Sequence, residues 1–369
     1  MPDRHHVLLV PGFFGFANLG DLAYFGHVCD LLARIGPGAG LDGEIREVRT
    51  PPTASLRVRA ARLVETIAEL PEGPVSVVGH SSGGLDARLA VTPEVDLPTQ
   101  VDVERCARRV RAVLTVATPH RGTPVAHLFN SFLGQELLRL LSAFTMVALR
   151  AGRLPLGPVL RAAGLFRRRR APSGNVPAQL AREILGAFSR GRRSELEAFL
   201  AALGKDQDLL GQITPGAMDL FNAATADRPG LRVGCLVAQA RPPGLRSALA
   251  AGFDPYAQAT HALFVGLQRV AARTDPAKDP QLLPAQVAAL RSAFGRRPGV
   301  RANDGMVPTL SQVWGDVVGA AWADHHDVIG HFGAPGAVPP HHDWMTSGSG
   351  FDLPRFKALW RAAATWLAA

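Results

Sequence analysis

The sequence predicts the α/β class: one domain on a mostly parallel sheet flanked by helices, interrupted by a helical insertion. Three observations carry this expectation. Short apolar runs alternate with amphipathic stretches over residues 1–126, the pattern of β–α–β units whose strands are buried on both faces. One of those runs passes through a Gly/Ser-rich turn straight into a helix-compatible segment. Strand-like sequence then stops over residues 127–227 and resumes beyond them.

Taken in order, residues 6–10 (HVLLV) form a buried strand that ends at Pro11-Gly12. Residues 56–70 space their apolar side chains at helical intervals, and residues 75–79 (VSVVG) and 113–117 (VLTVA) are β-branched strands. Leu128, Phe132, Leu137, Leu141 and Phe144 then suggest helices with broad apolar faces, followed by a Pro/Gly/Arg-rich stretch with Arg167 to Arg170. An amphipathic pattern resumes over residues 183–203, the strand signal returns at residues 231–238 (LRVGCLVA), and a closing helix covers residues 353–367. The expected organisation is a core of residues 1–126 and 228–369 split by a helical cap at 127–227.

Composition excludes several classes. With 369 residues, 47% hydrophobic and 19% charged, the chain is neither disordered nor a low-complexity rod. The formal charge of +9 comes almost wholly from arginine, since only Lys205, Lys278 and Lys357 are lysines. Basic nucleic-acid binders carry recognisable modules or interleaved aromatics; aromatics here are 7% and no such module occurs, so no nucleic-acid partner is expected. Cys29, Cys106 and Cys235 are widely spaced and read as reduced thiols. No uncharged apolar run approaches the ~20 residues that cross a bilayer, so no transmembrane segment is expected. The start, MPDRHHVLLVPGFFG, lacks a signal peptide's apolar core. That points to a cytoplasmic protein, or to a secreted one if a leader has been removed.

The strongest chemical signal is Gly79-His80-Ser81-Ser82-Gly83, a G-x-S-x-G pattern between strand and helix. Such a turn is sharp enough that side chains at either glycine would clash, and it presents the middle serine at the carboxyl end of the sheet. Ser81 is therefore the expected nucleophile, and the amide of Ser82, next to it at a helix N-terminus, an expected oxyanion donor. The second donor is expected from the loop after the first strand, Val10-Pro11-Gly12-Phe13-Phe14-Gly15, where Gly12 lets the backbone approach and the Phe13 N–H can point at the oxyanion. A serine nucleophile needs a base, and the base an orienting carboxylate. In chain order after Ser81 the best acid is Asp304, and the base is one of His325, His326, His331, His341 and His342. Spacing alone does not choose among them.

The stretches VLLVPGFFGF, GHSSGGLDARLA, VATPHRGTPVAHL, DLLGQITPGAMDLFN, NDGMVP and DHHDVIG, in this order, resemble the bacterial triacylglycerol lipases of the pseudomonad and staphylococcal types, which have the α/β-hydrolase fold. The resemblance implies a serine ester hydrolase with Ser81 as nucleophile, Asp304 as acid and His325 as base, while His80 and His120 are structural. It implies no cofactor for catalysis, a lipid or ester substrate met at a lipid–water interface, and an insertion that acts as a lid. It also implies a structural Ca²⁺, whose carboxylate ligands correspond to Asp254 and Asp327. A transition-metal site from His325, His326, His341, His342 and Asp343 is the rival metal reading. Pro11 stands where that family usually has His, and no cysteine after Asp304 can make the family's disulfide. An esterase or polyester depolymerase with the same triad, and a non-catalytic lipid-binding protein on the same scaffold, are the alternatives.

Overall fold

The computed structural model describes residues 4–13, 24–129, 208–244, 247–248, 252, 255–343 and 345–369. Six strands form one wholly parallel sheet: β1 (His6–Val10), β2 (Ile45–Glu47), β3 (Val75–His80), β4 (Val110–Val116), β5 (Arg232–Gln239) and β6 (Asp316–Trp322), in the order β2-β1-β3-β4-β5-β6. The four strands expected from apolar runs are present. The edge strands β2 and β6 escape that reading because one is three residues long and the other, DVVGAAW, is only half-buried.

Side-chain alternation explains why β1 is apolar from Val7 to Val10. Val7 and Leu9 face one helical layer, packing in a core with Phe25, Leu32 and Trp360, while Leu8 and Val10 face the other with Leu63, Val64 and Ile67. The first layer holds α1 (Gly26–Ala39) and the closing helix Leu353–Ala368. The second holds α2 (Leu56–Glu69), α3 (Gly83–Val91) and α4 (Val103–Arg109). Local signals set the helix ends: the Ser55 and Asp102 side chains cap α2 and α4, and Pro71 follows α2 where a helix cannot continue.

The chain runs from β1 outward to β2, then returns to the other side of β1 as β3. The carboxyl ends of β1 and β3 are thus where the winding reverses, the place where an open parallel sheet leaves a crevice for a ligand. The expected cap is described only at its two ends, the last residues of α5 (Pro124–Phe129) on one side and the helical segments Asp208–Gln212 and Pro215–Ala224 on the other. The expected helices over 130–207 lie outside the described residues. Cys29, Cys106 and Cys235 are free thiols. No helix among the described residues is long and apolar enough to cross a membrane.

Candidate active site

Ser81 follows the last residue of β3, at a φ of 54°. A non-glycine residue held there costs on the order of 1–3 kcal/mol, which the surrounding packing must impose. It does so through close backbone approach: a Cβ on Gly79 would stand 2.4 Å from the Gly83 carbonyl oxygen, and one on Gly83 2.2 Å from that of Val10. The Ser81 N–H is tied across to the Val116 carbonyl at 2.8 Å. The bend thereby turns Ser81 Oγ out of the sheet while its neighbours His80 and Ser82 are wholly buried.

The other two members arrive on loops from the last strands. His325 Nε2 is 3.0 Å from Ser81 Oγ, and His325 Nδ1 is 2.7 Å from Asp304 Oδ2. Two of the residues expected from the sequence, Asp304 and His325, therefore meet the expected serine. Asp304 is fully buried and all its acceptor directions are used. Oδ1 takes the Met306 and Val307 N–H groups at 2.8 and 2.7 Å, and Oδ2 takes the Gln312 amide at 3.1 Å besides the imidazole. The Asp304 contact leaves the proton on His325 Nδ1 and the Nε2 lone pair facing the serine hydroxyl. Gln312 also accepts the Ala238 N–H at 2.7 Å, so it anchors the acid to β5.

Phe13 and Ser82 flank Ser81 from two sides. Gly12 lies so close that a Cβ there would be 2.5 Å from Ser81 Cβ, which brings the Phe13 backbone beside the elbow. Ser82 caps α3, so its amide sits at the positive end of that helix. The β1 loop is held from behind by Arg59, whose Nη2 donates to the Pro11 carbonyl at 2.7 Å and whose Nη1 donates to Pro51. The same guanidinium pairs with Asp86 of α3 at 2.7 Å, both side chains being completely buried. Burial pushes the Asp86 carboxyl up to about 6 despite the pull of Arg59.

Neither Arg59 nor Gln312 was foreseen. Arg59 had a readable signal: it lies on the apolar stripe of α2, beside Leu56, Ala60 and Leu63, where a cation needs a buried partner. Gln312 had none, since a glutamine eight residues past Asp304 carries no pattern that marks a buried partner.

The remaining histidines divide. His120 is buried, bonded to Thr115 Oγ1 at 3.1 Å, and burial holds it well below the usual imidazole range. His80 lies under the base, with its ring centroid 4.7 Å from that of His325. His341 stacks on His27 at 3.6 Å, away from His325, and burial and neighbouring imidazoles lower His27 to about 3. Among the described residues, no three His, Cys, Asp or Glu side chains are placed to share a metal ion. The set His325, His326, His341, His342 and Asp343 is thus not brought together. Asp254 lies outside the described residues, whereas Asp327 is buried and accepts from the Asp324 N–H at 2.9 Å and the Ser349 hydroxyl at 2.7 Å.

A parallel sheet with a serine on a positive-φ bend after a central strand, and an acid and a histidine on loops from later strands, has the α/β-hydrolase fold. Solved structures agree on that fold. A metagenomic carboxyl esterase superposes with a TM-score of 0.52 at 18% identity, over 100% of this chain and 76% of that one. Staphylococcus hyicus lipase gives 0.54 at 16% identity, over 100% and 96% of the two chains. Lipase 1 from Pelosinus fermentans gives 0.53 at 15%, over 98% and 99%. No protein-family model matches the chain, and no curated protein does.

Proposed function

We propose that this chain is a serine carboxylic ester hydrolase acting on acyl esters of lipids. One observation carries the reading: Ser81, His325 and Asp304 form an unbroken hydrogen-bonded line of 3.0 and 2.7 Å at the crevice of the sheet. His325 Nε2 takes the hydroxyl proton as Ser81 Oγ attacks the ester carbonyl. Asp304 orients the ring and stabilises the imidazolium. The negative charge on the carbonyl oxygen is met by the Phe13 and Ser82 amides, each worth about 3–4 kcal/mol to the transition state. His325 then gives its proton to the leaving alcohol. Water, deprotonated by the same nitrogen, attacks the acyl-enzyme, releasing the acid and restoring Ser81.

Support for a lipid substrate comes from the sequence resemblance and from neighbours of the same fold that are themselves lipases and esterases. The insertion at 127–227 is the segment proposed to cover an apolar acyl group and to turn outward at a lipid surface. Calcium is proposed as a structural ion held by Asp327, Asp254 and backbone carbonyls, keeping the His325 loop in place. Charge supports it: burial and the charges of Asp324 and Asp343 raise the Asp327 carboxyl well above its usual range. A hard divalent cation relieves such a carboxyl.

Ser81→Ala tests the chemistry. It should abolish p-nitrophenyl ester turnover and labelling by a fluorophosphonate while the circular dichroism stays unchanged; retained turnover rejects the assignment. A chain-length series from acetate to palmitate, with and without emulsified substrate, separates a lipase from an esterase or polyester depolymerase. Lipid binding without fluorophosphonate labelling would indicate a non-catalytic protein. If calcium is bound, EDTA lowers the melting temperature and added calcium restores it.

A further inference from the structure

We propose that Tyr24 and His80 are positioning residues that hold the base and the oxyanion loop in a single register. The inference rests on the triad read above and concerns what keeps it assembled. Tyr24 Oη lies 2.6 Å from His80 Nδ1, and His80 Nε2 lies 2.8 Å from the His325 carbonyl oxygen. Both side chains are buried, Tyr24 at 2% and His80 at 0% exposure.

The directions of these bonds follow from chemistry. A carbonyl only accepts, so His80 Nε2 carries a hydrogen. Burial holds His80 well below the usual imidazole range, with the nearby His325 adding to the effect, so the ring is neutral and Nδ1 has a lone pair. The phenol must therefore donate to Nδ1. Its oxygen is left to accept, and the Gly12 backbone N–H faces it. One hydroxyl thus joins the loop after β1 to the elbow histidine, and that histidine reaches the backbone of the base. His325 is pinned at both ends of its peptide frame, since its own N–H donates to the Asp304 carbonyl at 3.0 Å.

The consequence lies in tautomer control. With the phenolic proton present, only the Nε2–H form of His80 satisfies both partners. Without it, the ring is free to carry its hydrogen on Nδ1. Nε2 then presents a lone pair to the His325 carbonyl, and the base loop shifts away. A displacement near 1 Å at a reacting group costs up to about 100-fold in rate.

The test combines spectroscopy with a mutant cycle on the full chain. In ¹⁵N-histidine NMR, with the His80 signal assigned by its loss in His80→Gln, the wild type should show a protonated Nε2 and a bare Nδ1. In Tyr24→Phe, kcat on p-nitrophenyl butyrate should fall about 10- to 100-fold with KM within about twofold, and fluorophosphonate labelling should slow in parallel. His80→Gln keeps an N–H for the His325 carbonyl and has no tautomer to lose. In that background Tyr24→Phe should therefore cost less than about twofold. A wild-type His80 protonated on Nδ1 overturns the inference, as does an equal loss in both backgrounds or full turnover in Tyr24→Phe. Should Tyr24→Phe not fold, the wild-type tautomer, assigned through His80→Gln, decides. Turnover surviving in Ser81→Ala would instead remove the triad reading and leave the tautomer result standing.

Discussion

Arg59 and Asp86 form an ion pair of 2.7 Å with no solvent contact at either side chain, and it joins α2 to the helix that begins at the nucleophile. The Arg59 guanidinium continues to the Pro11 carbonyl, so one cation braces both the elbow helix and the loop carrying Phe13. Arg59→Met strands a buried carboxylate. We expect a loss of about 3–5 kcal/mol in urea unfolding, and much of it should return in Arg59→Met/Asp86→Leu. Turnover should stay depressed in the double variant, because Pro11 remains unheld. An unchanged urea midpoint in Arg59→Met would sink this account.

Ser82 stands beside Ser81 and differs from it in one respect that experiment can read. Its hydroxyl is fully buried with no hydrogen-bond partner among the described residues, and only its backbone amide is assigned a role. Ser82→Ala keeps that amide and removes an unsatisfied group. Turnover should remain within about threefold of wild type, with stability equal or up to about 1 kcal/mol higher by thermal unfolding. Abolished turnover in Ser82→Ala would move the nucleophile assignment into doubt.

Gln312 links the acid to the sheet, donating to Asp304 Oδ2 at 3.1 Å and accepting from the Ala238 N–H at 2.7 Å. Gln312→Met fills the space and leaves both groups short of a partner. The expected cost is about 2 kcal/mol of stability, from the orphaned buried amide. A roughly tenfold lower kcat at unchanged KM should accompany it, because the carboxylate that orients His325 is less firmly held. A variant with normal kcat would show that the Met306 and Val307 amides suffice.

Glu47 supplies a pH dependence with a definite sign. Burial pushes its carboxyl up to about 7, and Oε1 has no hydrogen-bond partner among the described residues. The folded protein thus keeps a proton there between the ordinary glutamate range and pH 7, while the unfolded chain has released it. Stability falls as pH rises through that window. Glu47→Gln removes the effect, so its advantage over wild type should grow by about 2–3 kcal/mol between pH 5 and pH 8. A constant difference across that range would contradict the assignment.

The sheet's interior was readable because strands buried on both faces are apolar at nearly every position, as in HVLLV and VSVVG. The elbow was readable because its glycines are dictated by backbone contacts within a few residues. The edge strands were not, since β2 and β6 bury too little to force an apolar pattern. In the site, Asp304 was the best acid in chain order, whereas the choice of His325 among five histidines came through resemblance to known lipases, because the contact joining Ser81 to His325 spans 244 positions and leaves no local trace. The supports depend largely on distant contacts as well: Gln312 reaches Ala238 across 74 positions, Arg59 reaches Pro11 across 48, and Tyr24 reaches His80 across 56.

The Trp360 indole N–H donates to the Val328 carbonyl at 2.8 Å, which fastens the closing helix beneath the segment that carries His325. During synthesis the serine bend leaves the ribosome early, yet its partners come from the last strands and are steadied by the final helix. A growing chain therefore holds Ser81 without Asp304 and His325 beside it until the segment Leu353–Ala368 has docked. A protease that trims that helix should disarm the protein without approaching the crevice.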